Sequence, residues 1–145
     1  LKGKVYPESG LKAPSEMKVF LGNKVVQNVA IKRNGKFKIS LISDSYYTLS
    51  VSMKDHETKK VVVSTQGVTK TGAPLDTQFD FDVFLYKSDA FAGRSKDLLD
   101  FPTALIEYDE YNRSLEVNMA YTSSIYAAQK ELLKSDPVII NDKAR

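Results

Sequence analysis

Cysteine is absent from the 145 residues, which excludes disulfides, thiolate metal sites and cysteine nucleophiles. Histidine occurs once, as His56, so no site can be built from several imidazoles. No apolar run approaches the roughly 20 residues that a transmembrane helix needs, and no charged start followed by an apolar stretch marks a targeting segment. There is no Gly-x-x-x-x-Gly-Lys phosphate loop, no dinucleotide fingerprint and no Gly-x-Ser-x-Gly elbow. A surplus of one charge is also lacking: 21 Lys and Arg against 18 Asp and Glu give +3, spread along the chain and too little to imply nucleic acid. Together these absences predict a protein that is not an enzyme and carries no cofactor.

What is present is a globular composition, 42% hydrophobic, with 7 Phe and 8 Tyr. A chain of this length hides about two thirds of its unfolded surface on folding, enough for a core without covalent staples. Apolar residues alternate with polar ones through the first 86 positions, the period of strands with one buried face. Phe37, Ile39 and Leu41 share one face. Tyr47, Leu49, Val51 and Met53 share another, opposite Tyr46, Thr48, Ser50 and Ser52. Phe79, Phe81, Val83 and Leu85 oppose Asp80, Asp82, Phe84 and Tyr86. Met17 to Leu21 and Lys60 to Ser64 are two further strands.

Turn-rich segments at about this spacing predict a compact antiparallel sandwich. At Asn34-Gly35 a three-residue loop, Arg33-Asn34-Gly35, pairs Ile31 with Phe37 and Val29 with Ile39, with Gly35 left-handed; that register keeps the apolar residues on one face. Thr65 to Thr77 reads as a long loop and Ser88 to Asp100 as a linker. Thr103 to Tyr108 and Leu115 to Met119 form a second hairpin. Tyr121, Ile125, Ala128 and Leu132 then recur as one helical stripe, ended by Ser135-Asp136-Pro137. Val138 to Arg145 is a tail. The expected organisation is a sandwich over 1–87, with 88–145 as an extension of linker, hairpin and helix packed on it.

Four pieces of the first 86 residues carry a resemblance: Gly3-Lys4-Val5, Val19-Phe20-Leu21, Gly35-Lys36-Phe37-Lys38-Ile39-Ser40-Leu41 and Tyr47-Thr48-Leu49-Ser50-Val51-Ser52-Met53. They resemble the bacterial carboxypeptidase regulatory-like domain, a transthyretin-like (prealbumin-like) β-sandwich. The usual Thr-Asp-x-x-Gly turn is replaced by Ile31-Lys32-Arg33-Asn34-Gly35, and the usual Gly-Tyr by Asp55-His56. The stretch from Phe79 to Thr122 is similar to a segment that follows such domains in envelope proteins of Bacteroidota-type bacteria. The resemblance implies a non-enzymatic module at the periplasm, outer membrane or cell surface, with another envelope protein as partner. It implies a scaffold or protein-interaction role; the alternative is a module that binds carbohydrate or another small ligand.

Among the residues that could carry chemistry, Asp76, Asp80 and Asp82 are weak candidates for a hard cation, and read better as outward acids that keep a strand soluble. Asp80 and Asp82 would also relieve repulsion among Lys32, Lys36 and Lys38 if the strands lie side by side. Asp55 and Glu57 flank His56 in what reads as a solvated turn, so no acid–base pair is expected. Asn112-Arg113-Ser114 is a formal glycosylation sequon. A Lys-to-Asn bond would require Lys4 or Lys18, Asn118, and Glu107 or Glu116 to meet. Tyr46, Phe84, Tyr86 and Tyr108 are the candidate partner-binding residues, unless the C-terminal hairpin and helix cover them.

Overall fold

The computed structural model describes residues 1–67, 79–91, 101–109 and 111–134. Asp76 and the expected helix stop at Ser135-Asp136-Pro137 lie outside them, as do parts of the Thr65–Thr77 loop and the Ser88–Asp100 linker, the Val138–Arg145 tail and the side chain of Leu132. The strands are β1 (Lys2–Pro7), β2 (Ser15–Leu21), β3 (Lys24–Ile31), β4 (Lys36–Lys38), β5 (Tyr46–Ser52), β6 (Lys59–Ser64), β7 (Asp80–Leu85), β8 (Ala104–Asp109) and β9 (Ser114–Val117). One 16-residue helix, α1 (Met119–Lys134), follows β9.

The strands form two sheets, ordered β4-β1-β7 and β3-β2-β5-β6-β8-β9, a mainly-β, sandwich-like arrangement that does not close into a barrel. The period-two rows face each other across its interior. Val5, Phe37, Ile39, Val83 and Leu85 come from the narrow sheet's side, and Met17, Val19, Ile31, Leu49, Val51, Val61, Val63 and Ile106 from the wide one, all buried. The burial alternation along β5 and β7 is the one the sequence predicts. The C-terminal hairpin forms with Asp109 opposite Ser114. It extends the wide sheet, because β8 pairs with β6.

Two expectations are corrected. The sheets are mixed rather than antiparallel: β1 runs parallel to β7, and β6 parallel to β8. Arg33-Asn34-Gly35 is not a hairpin loop, and Ile31 does not pair with Phe37. β3 bonds to β2 while β4 bonds to β1, so the chain crosses from one sheet to the other at this turn. Ile31 and Phe37 are both buried, but on opposite sides of the interior; alternation specifies a face and is silent about which neighbour supplies the hydrogen bonds. Gly35 does take the left-handed conformation, at φ +78°, where its N–H donates to Lys32 O and its carbonyl accepts from Val5 N–H at 2.9 Å each. A Cβ there would sit 2.6 Å from Val5 O.

The narrow sheet also explains its charges. Lys2 stands between Lys38 and Asp80, and Lys4 between Lys36 and Asp82. The acids of β7 therefore neighbour the lysines of β1, with β1 separating them from Lys36 and Lys38. Gly3 lies at the centre of this sheet. A methyl group on it would collide with the Phe81 carbonyl and approach the Phe37 ring, whose edge meets Phe81 with centroids 5.4 Å apart. Gly3→Ala is expected to destabilise the protein by about 3 kcal/mol, because β1 and β7 must separate to admit the methyl group. Denaturant unfolding checks this, and a loss below about 0.5 kcal/mol contradicts the close approach.

Candidate functional site

A sheet of six strands facing one of three leaves part of its inner face uncovered. Beyond β6 that surplus consists of β8 and β9, and α1 lies over it. Asn118 caps the helix: its Oδ1 accepts from Tyr121 N–H at 3.0 Å, and its Nδ2 donates to Glu107 Oε1 at 3.0 Å. The Tyr121 hydroxyl donates to Pro102 O at 2.7 Å and fixes the first turn over β8. Tyr121, Ile125 and Ala128 are half-buried, as the stripe predicts, and Gln129 is buried beside them.

Between the side of β7 away from β1 and this helix remains a half-open cavity of about 760 Å³. Its floor is Val61, Ala104, Ile106 and Val117; Phe81, Val83 and Phe84 line the β7 side, and Thr122, Ser123 and Tyr126 the helix side. The Thr122 hydroxyl has no hydrogen-bond partner among the described residues. Cavities of about 300–1,000 Å³ with apolar walls and few polar groups are the usual form of small-molecule sites.

Lys59 is the unusual component. It begins β6 in the same alternation as Val61 and Val63, and so occupies an inward position. Its Nζ lies 4.6 Å from the Tyr86 ring centroid and 5.7 Å from that of Phe84, the two rings meeting edge to face at 5.4 Å. Burial pushes the ammonium down to about 8. Among the described residues no carboxylate counters this. Glu8 and Asp82 border the cavity, but Glu8 Oε1 accepts from Lys87 N–H at 2.9 Å and Asp82 Oδ1 from Lys4 N–H at 3.1 Å. Burial likewise pushes the Tyr86 phenol up. At the mouth Lys130 Nζ stands 5.2 Å from the Tyr126 ring centroid, and Tyr126 raises its ammonium.

The four expected partner residues are not one patch. Tyr46 is 50% exposed on β5 and lies outside the cavity, and Tyr108 is half-buried against the core. Phe84, 44% exposed, and Tyr86, 8% exposed, are brought together at the cavity. Asp80 and Asp82 share the outer face of β7. Among the described residues no group of three His, Cys, Asp or Glu could hold a metal. Lys18 cannot approach Asn118, since β5 and β6 separate β2 from β8, and the Lys4 ammonium rests 5.1 Å from the Tyr6 ring centroid; the Lys-to-Asn constellation does not assemble. Asn112 of the sequon is engaged in its turn, donating to Asp109 Oδ2 at 3.0 Å and Glu116 Oε2 at 2.9 Å.

His56 departs from its expected solvated turn. It is 8% exposed, with Nδ1 2.8 Å from Lys54 O and Nε2 3.0 Å from Ser9 Oγ. The carbonyl can only accept, which puts a ring proton on Nδ1; in the neutral ring Nε2 then accepts from the Ser9 hydroxyl. The pair has the spacing of a nucleophile and its base. Ser9 lies in the turn after β1, however, and the cavity ends at Glu8 without reaching either residue. The bond ties that turn to the one before β6.

No family model matches the chain, and no curated protein is significantly similar to it. No helix among the described residues is long and apolar enough to cross a membrane.

The fall of Lys59 from 10.5 to about 8 corresponds to about 3 kcal/mol in favour of the neutral amine. The side chain is half-buried, so solvent screens part of this penalty. The unfolded chain keeps this proton up to its ordinary value, whereas the folded chain releases it near 8. The penalty is therefore complete below that pH and fades as pH rises between the two values. Lys59→Met is expected to be about 2 kcal/mol more stable than the parent at pH 7, with the gap closing by pH 10. Urea unfolding at both pH values tests this; a gap independent of pH contradicts it.

Proposed function

We propose that the protein is a non-catalytic binding module that holds a small ligand in the cavity between β7 and α1. The observation that carries this reading is the cavity itself: apolar walls from both sheets, two aromatic rings at one end and an ammonium without an acid partner among the described residues. A core lysine would be replaceable by methionine if packing were its purpose. The strand motifs support a carboxypeptidase regulatory-like, prealbumin-like module working outside the cytoplasm of a bacterium, and that setting rests on them alone.

A second reading, docking to another envelope protein, is favoured by β3, the edge of the wide sheet among the described strands. Its Val25 and Val26 are exposed, and a bulge shifts its register there. An apolar edge of this kind is a template for strand addition, which a bulge only partly discourages.

Ser123 is exposed on α1 and borders the cavity. Ser123→Trp is expected to fill the cavity while leaving the melting temperature within about 3 °C of the parent. Small aromatic and aliphatic fragments screened by NMR should perturb the cavity residues in the parent and not in this variant. Perturbations scattered over the surface, or unaffected by the tryptophan, defeat the reading. A fluorophosphonate should leave Ser9 unmodified, as a non-catalytic module requires; labelling lost in His56→Ala would make the Ser9–His56 pair a nucleophile instead.

A further inference from the structure

A cation that has given up water without gaining an anion is a site waiting for one. Lys59 meets this description. Its neighbours at the head group are the faces of Tyr86 and Phe84, which attract a cation but supply no charge. The two described carboxylates that border the cavity each accept a backbone N–H through one oxygen, Glu8 from Lys87 and Asp82 from Lys4, and neither offsets the effect of burial on Lys59. A second ammonium, Lys130, stands at the mouth beside Tyr126. Away from these two groups the walls are Val61, Val83, Phe81 and Ile106, which reward an apolar body.

We propose that the cavity selects small carboxylates with an aromatic or aliphatic body, the carboxylate paired with Lys59 Nζ and the body lying along the β6–β8 floor toward α1. This rests on the cavity being a ligand site and adds the class of ligand. A monoanion suits the geometry because one buried ammonium is available, the other being at the solvent edge. An ion pair formed in this partly dry setting is stronger than one at the surface, and the ligand supplies the charge that the protein omits. A neutral ligand of the same shape would leave the ammonium as it is. A cationic one would add repulsion.

Three probes with one body separate these cases: 3-phenylpropionate, 3-phenylpropanol and 3-phenylpropylamine, titrated into the intact protein by NMR. The carboxylate is expected to bind about tenfold or more tightly than the alcohol, and the amine most weakly. In Lys59→Met, which should fold at least as well as the parent, the carboxylate should lose its advantage over the alcohol. Equal binding of carboxylate and alcohol to the parent overturns the ligand class but leaves the cavity as a binding site. A carboxylate preference that survives in Lys59→Met also overturns it, by placing the anion elsewhere. Failure of all three to shift any cavity residue at millimolar concentration overturns both this inference and the binding reading beneath it.

Discussion

The narrow sheet depends on the missing side chain at Gly3. With only hydrogen there, β1 lies close between β4 and β7, and the Phe37 and Phe81 rings close over the glycine from either side. The ring contact restores some of the packing that a glycine in a strand forfeits. Its consequence reaches further than the local contact. β7 bonds to β1 alone among the described strands, so the depth at which β7 sits is set by how closely β1 lets it approach. That depth places Phe84 and Tyr86 where Lys59 reaches them.

Unequal sheets then decide where function can reside. Three strands cannot cover six, and the helix that follows β9 covers only part of the remainder. An interior that closes completely, with aliphatic residues at every inward position, would be more stable. Here the inward row of β6 starts with a lysine, whose long stem packs as a hydrocarbon while its head finds two rings and no acid. Charged groups perturbed by burial cluster where proteins bind ligands or do chemistry.

Much of the architecture was legible in the residues. The inward rows of β5 and β7, the second hairpin and the helical stripe over Tyr121, Ile125 and Ala128 follow from periodicity, a property of the chain that tertiary context cannot alter. Pairing partners were not legible. Ile31 and Phe37 have the spacing of a hairpin, yet the turn between them links two sheets, since the hydrogen-bond partners of β3 and β4 come from β2 and β1. His56 likewise gives no local sign of its bond to Ser9, 47 positions away. Lys59 carried a signal that was available: it continues the Val61 and Val63 alternation by one step. A strand taken to begin at Lys60 leaves it out, because a lysine at a strand end is ordinarily solvated. The convergence of Phe84 and Tyr86 on it, with Tyr126 lining the same cavity, depends on two sheets and a helix meeting, and no single segment encodes that.

The claim on which the account turns is that the Lys59 ammonium is largely withdrawn from water and has no carboxylate beside it among the described residues. Selective ¹³C labelling of lysine, with the Cε resonances followed through a pH titration, measures this directly. The account predicts one lysine titrating at about 8, identified by its disappearance in Lys59→Arg, and moving upward when a carboxylate occupies the cavity. A Lys59 resonance that titrates at its ordinary value of 10.5 would contradict it.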